Sequence, residues 1–326
     1  MTEDRSPLVA LDLGGSKIAT ALVNPDGKIV GHRQIPTLAE EGVDAVVSRM
    51  LVTIDSVVNE AGLSLSGVSS IAIAAAGAID SRQGIVTDSP NLPGWRDVPL
   101  REIVKKAVGL ETFLINDASA AAIGEHCFGA GRDVSDLVYV TVSTGIGGGI
   151  LIAGKLHEGV SGSAGEVGHM TIDVNGPRCS CGNVGCLEVF ASGKAVAREA
   201  QSLVSQGVKT KITEYAEGQV ENITARTVAE AAQQGDVVAR QVIFRAATYL
   251  GIGLVNLVNI LNPEMIIIGG GLSQMGDILL DPARQVVADR AFQLPAQRVR
   301  IVPSQLGVNA GTLGAAAFAQ GSGRPF

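Results

Sequence analysis

Apolar positions along this chain follow two periods. From Leu8 onward they come as short runs broken by turn residues: Leu8-Val-Ala-Leu-Asp12, Gly14-Gly15-Ser16, Ile18–Val23, Asn24-Pro-Asp26-Gly27, then Lys28–Gln34. Runs of that length with such breaks predict three strands joined by tight turns. A helix is expected over Val43–Ala61, buried strands over Ser70–Ala75 and Thr112–Ile115, and a helix over Ala118–Gly124. The same order returns at Leu137: strand Val138–Val142, glycine turn Ser143–Gly149, strand Ile150–Ala153, turn Gly154-Lys155, strand Leu156–Gly159. The repeat predicts an internal duplication, with two lobes of related topology facing each other across a cleft.

Further along the period changes. Val238, Val242, Ala246, Tyr249, Gly253, Leu257 and Leu261 recur at helical spacing and predict a long, largely buried helix stopped by Asn262-Pro263. Met265–Ile268 reads as a buried strand running into Gly269-Gly270-Gly271, and Arg298–Val302 as another strand. Asn309–Ala317 is a run of small residues expected to form a closely packed helix.

At 326 residues the chain has room for about two domains of ~150 residues. With 46% hydrophobic but only 3% aromatic residues, the core must be built from Ala, Val, Leu and Ile. A net charge of −7 without a Lys or Arg run argues against nucleic-acid binding through a basic field. The most apolar stretch, Leu250–Ile268, is broken by Asn256, Asn259, Asn262, Pro263 and Glu264, so no membrane span is predicted. The polar start, Met1 to Pro7, lacks an apolar targeting core, and a cytoplasmic location is expected.

Three of the four cysteines stand together in Cys179-Ser-Cys181-Gly-Asn-Val-Gly-Cys186, with His169 just upstream. Three thiolates and an imidazole are a ligand set for structural zinc, although Cys-x-Cys-x₄-Cys departs from the common finger spacings. A disulfide would leave an odd thiol. A core role does not suit the polar, turn-rich Ser180, Gly182, Asn183 and Gly185. Cys127 is expected as a lone buried thiol, and His126 as a structural residue.

Gly145-x-Gly147-x-Gly149 is not a dinucleotide fingerprint, because a strand rather than a helix follows it. Neither glycine turn ends in the Gly-Lys-Ser/Thr of a P-loop. As hairpin turns they can still present backbone N–H groups as anion nests. There are two, each with hydroxyls or a carboxylate (Asp12 and Ser16; Ser143 and Thr144), which favours a polyphosphate gripped from both sides. Asp12 could orient hydrated Mg²⁺. Lys17 is either a phosphate contact or a solvated hairpin residue. Asn116-Asp117 closes a strand where ligands bind in open α/β sheets; Asp117 could alternatively cap the following helix.

Asp12-Leu-Gly-Gly-Ser-Lys17, Asn116-Asp117, Ser143-Thr-Gly-Ile-Gly-Gly-Gly149, Glu166-Val-Gly-His169 and Cys179-x-Cys181-Gly-x-x-Gly-Cys186-x-Glu188 occur in that order. Together they resemble the ROK family (repressors, open reading frames and sugar kinases) over essentially the whole chain. Two positions depart from the family pattern: Ser16 stands where Thr is frequent, and Ser143 where many members have Gly.

The resemblance implies an α/β, actin-like (ribonuclease H-like) ATPase fold of two lobes with an interlobe cleft. The N-terminal lobe would comprise 1–116 and 310–326, the C-terminal lobe 117–309 with a zinc-binding loop. The activity implied is that of a bacterial glucokinase, phosphoryl transfer from ATP to the 6-hydroxyl of a hexose. Asp117 would be the general base. Gly77, Asn91, Asn116, Asp117, Glu166, His169 and Glu188 would contact the sugar. Asp12, Gly14, Gly15, Ser16, Lys17, Thr144 and Gly145 would serve the phosphates and Mg²⁺, with Gly270 and Gly271 under the adenosine. His169, Cys179, Cys181 and Cys186 would hold structural zinc, the other nitrogen of His169 meeting a sugar hydroxyl. A dimer or tetramer is expected. Kinases for N-acetylmannosamine or fructose, and a polyphosphate-using glucokinase, stay open. A sugar-responsive repressor is disfavoured, since the first strand near Leu8 leaves no room for a preceding helix-turn-helix.

Overall fold

The structure, a computed structural model, describes residues 6–321. Its strands are β1 (Leu8–Leu13), β2 (Lys17–Val23), β3 (Ile29–Pro36), β4 (Ile71–Ala75), β5 (Ala78–Asp80), β6 (Ile85–Asp88), β7 (Arg96–Val98), β8 (Thr112–Asn116), β9 (Leu137–Val142), β10 (Ile146–Ile152), β11 (Lys155–Leu156), β12 (Met265–Gly269) and β13 (Arg300–Pro303). Its helices are α1 (Val43–Glu60), α2 (Leu100–Val108), α3 (Asp117–Phe128), α4 (Glu188–Ala191), α5 (Gly193–Ser205), α6 (Ile212–Tyr215), α7 (Ala225–Gln233), α8 (Val237–Leu261), α9 (Asp277–Arg290), α10 (Gln293–Arg298) and α11 (Ala310–Gln320).

The expected duplication is present in the topology. One five-stranded sheet runs β3-β2-β1-β4-β8 and the other β11-β10-β9-β12-β13, the same order of first, second and third strands followed by two later ones. In the first, β1 is antiparallel to β2 and parallel to β4, and β4 is parallel to β8. In the second, β12 is parallel to both β9 and β13.

The chain divides into two compact units. The first comprises the described parts of Met1–Ser135 and Gln305–Phe326 together with Gly149–Gly165; the second comprises Asp136–Gly148 and Glu166–Ser304. The expected boundary after 116 is a different division, because α3 packs on α11 and both lie in the first unit. That packing is close. A Cβ at Gly124 would stand 2.4 Å from Ala310 O, and one at Gly314 only 1.6 Å from Ala120 O. The approach needs the run of small residues between Asn309 and Ala317, which is helical as predicted. The fully buried Glu125 carboxylate anchors the chain leading into α11, accepting N–H groups of Ala130 at 2.8 Å, Gln305 at 3.3 Å and Leu306 at 2.9 Å.

Several elements differ from the sequence reading. Gly147, Gly148 and Gly149 lie inside β10 rather than in a turn. The reason is steric at Gly149, where a Cβ would meet Ala122 Cβ at 2.6 Å and Ala118 O at 2.7 Å. The strand expected over Leu156–Gly159 shortens to β11, and α3 extends to Phe128. The apolar stretch 250–268 is split between α8 and β12, with Asn262 in the left-handed conformation at the helix end. By length and composition α8 could cross a membrane, but half of its most apolar window is buried inside the protein.

Candidate active site

In the first unit, register places the candidate residues along one sheet edge. Asp12 pairs with Ala74 and Ala74 with Ile115; Leu13 pairs with Ala75 and Ala75 with Asn116. The C-terminal ends of three parallel strands are therefore flush, and Asp12, Gly77 and Asn116-Asp117 emerge together. Asn116 Nδ2 donates to Gly77 O at 3.0 Å, while Asn116 Oδ1 accepts from Ala118 N and Ser119 N at 3.0 Å each. The cap of α3 is thus Asn116. This corrects the alternative in which Asp117 serves as the cap: Asp117 is the first helical residue, its Oδ1 accepting Ala118 N–H at 2.8 Å.

The first glycine turn is a hairpin closed by Gly14 N–H to Lys17 O at 3.0 Å. Thr37 steadies it, donating its hydroxyl to Gly14 O at 2.6 Å. Among the described residues the N–H groups of Gly15 and Ser16 take no protein acceptor. Asn91 packs on this turn, because a Cβ at Gly15 would meet Asn91 O at 2.6 Å. Buried Leu92 and Trp95 hold the Asn91 loop and leave Asn91 itself exposed. Beside the turn, burial pushes the Asp12 carboxyl up to about 6, against the opposing pull of Lys17. The first turn of α11 helps enclose it, since a Cβ at Gly311 would lie 2.9 Å from Asp12 Oδ2.

In the second unit, the second glycine turn spans 143–145, with Ser143 N–H donating to Gly145 O at 2.9 Å. It is seated on the start of α5: Gly193 N–H donates to Ser143 O at 2.7 Å, and Lys194 N–H to Thr144 O at 3.4 Å. Gly270, at φ +83°, lies against it, where a Cβ would be 2.5 Å from Val142 O. A cavity of about 820 Å³ opens beside the turn, lined by Thr144, Lys194, Arg226, Glu230 and Gly271 among others. Thr144 and Gly271, expected at opposite ends of a nucleotide, thus share one cavity within the usual size range of small-molecule pockets. Lys194, Arg226 and Glu230 escaped the sequence reading. Ser192 and Thr224 cap α5 and α7 and mark two helix starts, but no spacing in the sequence ties those starts to one cavity.

Glu166, His169 and Glu188 also meet in this unit. His169 Nε2 lies 3.9 Å from Glu166 Oε2. Burial raises the Glu166 pKa, His169 opposes the rise and Glu188 adds to it. The other ring nitrogen, His169 Nδ1, is 3.7 Å from Cys179 Sγ, and Cys181 Sγ is 3.7 Å from Cys186 Sγ. All four donor atoms lie within 4.8 Å of one another. Thiolates around a tetrahedral ion with metal–sulfur bonds of about 2.3 Å stand about 3.8 Å apart, so the quartet has the dimensions of a zinc shell. The same separation excludes a disulfide, whose sulfurs lie about 2.05 Å apart. A turn shapes the quartet. Cys179 N–H donates to Asn183 O, and Gly185 at φ +69° passes so close to Asp173 O that a Cβ would reach 1.6 Å. Cys127 is half-buried, with its thiol pKa raised by burial, and His126 Nδ1 pairs with Gly131 O at 3.2 Å.

The ROK family pattern matches residues 8–322. A putative xylose repressor from Caldicellulosiruptor sp. (strain Rt8B.4) is 39% identical over 95% of this chain and 77% of its own length. A glucokinase from Thermotoga maritima is 38% identical over 95% of this chain and 96% of its own length. Among solved structures, a ROK family glucokinase from Streptomyces griseus in complex with glucose and AMPPNP superposes with a TM-score of 0.86 at 34% identity, covering 95% of this chain and 98% of that one. The two sheets of repeated order, the glycine turns and the Cys/His quartet are borne by a chain that belongs to the ROK family.

Proposed function

We propose that this chain is an ATP-dependent hexose kinase, with glucose the first expected substrate and Asp117 the general base. The observation that carries the reading is the shared edge of β1, β4 and β8, where Asp12, the Gly14–Lys17 hairpin and Asp117 emerge together while Asn116 serves as the helix cap. Catalysis of phosphoryl transfer is mostly positioning and charge stabilisation. The N–H groups of Gly15 and Ser16, with Thr144 and Gly145, would hold phosphates, and Asp12 would orient the hydrated Mg²⁺. Asp117 would accept the proton of the attacking hydroxyl. Glu166, His169 and Glu188 would take hexose hydroxyls, with Asn91, Gly77 and Asn116. The cavity beside Thr144 and Gly271 would receive the nucleoside, and Gly270 would lie under it.

His169, Cys179, Cys181 and Cys186 would hold zinc in a structural role. Four protein donors complete the shell and leave no position for substrate. The glucokinase relatives and the glucose–AMPPNP complex support the hexose-kinase reading. A second reading, a sugar-responsive repressor, draws on the xylose repressor relative. A coupled assay across several hexoses with ATP or polyphosphate separates the two. ATP consumption dependent on glucose is expected; sugar binding without turnover of any donor would favour the repressor.

A further inference from the structure

Glu188 makes a contact that its expected role as a sugar ligand does not require. Its Oε2 accepts the N–H of Ile146 at 2.8 Å, at the point where the second glycine turn enters β10. The same oxygen lies against Gly145, where a Cβ would come within 2.3 Å of it. A side chain at Gly145 would displace that carboxylate from Ile146. The chain just after α4 meets the same turn: Ser192 N–H closes α4 on Glu188 O, and Gly193, the first residue of α5, donates to Ser143 O at 2.7 Å. The other carboxylate oxygen, Oε1, has no hydrogen-bond partner among the described residues.

We propose that Glu188 is a positioning residue for the phosphate turn and makes donor affinity depend on sugar occupancy. This rests on the kinase reading above. One carboxylate would serve two partners, a sugar hydroxyl on Oε1 and the Ile146 N–H on Oε2. A hydroxyl on Oε1 fixes the side-chain rotamer, so the turn is ordered before the nucleotide arrives and the ordering cost at donor binding falls. By linkage the nucleotide must favour the sugar by the same factor.

Two measurements on the full chain test it, with Glu188→Ala and Glu188→Gln compared after thermal melts show that both fold. In amide hydrogen exchange, residues 143–148 should be protected further by glucose in the parent. Protection should be lost in Glu188→Ala and largely kept in Glu188→Gln, whose amide oxygen can still accept from Ile146. In calorimetry without sugar, Glu188→Ala should bind Mg·AMPPNP about ten-fold more weakly than the parent, and Glu188→Gln close to it. Glucose protection of 143–148 that persists in Glu188→Ala, or AMPPNP binding that is measurable in the parent and equally tight in Glu188→Ala, would overturn the proposal. A parent that shows the exchange effects yet binds no nucleotide would retain the Glu188 anchor and overturn the kinase reading instead.

Discussion

Asn116 caps α3 through the N–H groups of Ala118 and Ser119, and Asp117 follows it as the first helical residue, its Oδ1 sharing the Ala118 N–H. Replacing Asp117 with Ala should lower phosphoryl transfer by about 10²–10⁴-fold while sugar binding stays measurable by calorimetry. The Asn116→Ala variant should behave differently, losing about 1 kcal/mol of stability with the cap. Near-parental turnover of the Asp117 variant would remove it from the role of base.

The contrast between these neighbours shows what could be read in advance. Both were visible as a polar pair after an apolar strand, but which one caps depends on backbone conformation at the junction, and composition does not report that. The three-strand unit that opens each sheet was legible because hydrophobic runs and turn residues repeat, and the Cys/His quartet because its donors are close in sequence; where the two later strands join each sheet was not. The contact from Glu188 to Ile146 was not legible, since it joins positions 42 apart that share no motif. Lys194 and Arg226 were missed for the same reason: a cavity wall is a product of packing, and its residues follow no period. The extent of β10 was misjudged because glycine usually signals a turn. Gly149 is there to admit α3, a constraint set by a residue about thirty positions away.

The α3–α11 contact yields a stability prediction. A Cβ at Gly314 would meet backbone, Ala120 O, so neither side-chain rotation nor a small shift relieves it. Gly314→Ala should destabilise by about 3 kcal/mol or more, at or beyond the usual range for overpacking. Gly271→Ala is the control, because nothing lies within 4 Å of its added methyl; it should stay within about 0.5 kcal/mol of the parent. Denaturant melts that rank the two variants equally would show that the helices separate easily.

The Cys/His quartet predicts a metal content. Protein purified without chelator should carry about one zinc per chain by elemental analysis, and Cys181→Ser should lose it. Sugar binding should weaken in parallel, because Cys186 is two residues from Glu188 and His169 itself faces Glu166. Zinc-free parent protein after growth in zinc-supplemented medium would count against a metal role for the cluster.

Asp12 supplies a pH dependence with a definite sign. Its carboxyl titrates at about 6 in the folded chain against an ordinary value of 3.8. Between those values the folded state holds a proton that the unfolded state has released, so stability falls as pH rises through this window and levels off above it. The charged form is therefore tolerated near neutrality at a cost of up to about 3 kcal/mol, which fits a carboxylate kept for a cation rather than for the fold. Asp12→Asn removes the charge with little change of shape. Its melting temperature should exceed the parent's by several degrees at pH 7.5, and the gap should close near pH 4, where both side chains are neutral. Turnover with ATP should drop in the same variant. A melting difference that is constant from pH 4 to 7.5 would mean that Asp12 titrates in the ordinary carboxylate range.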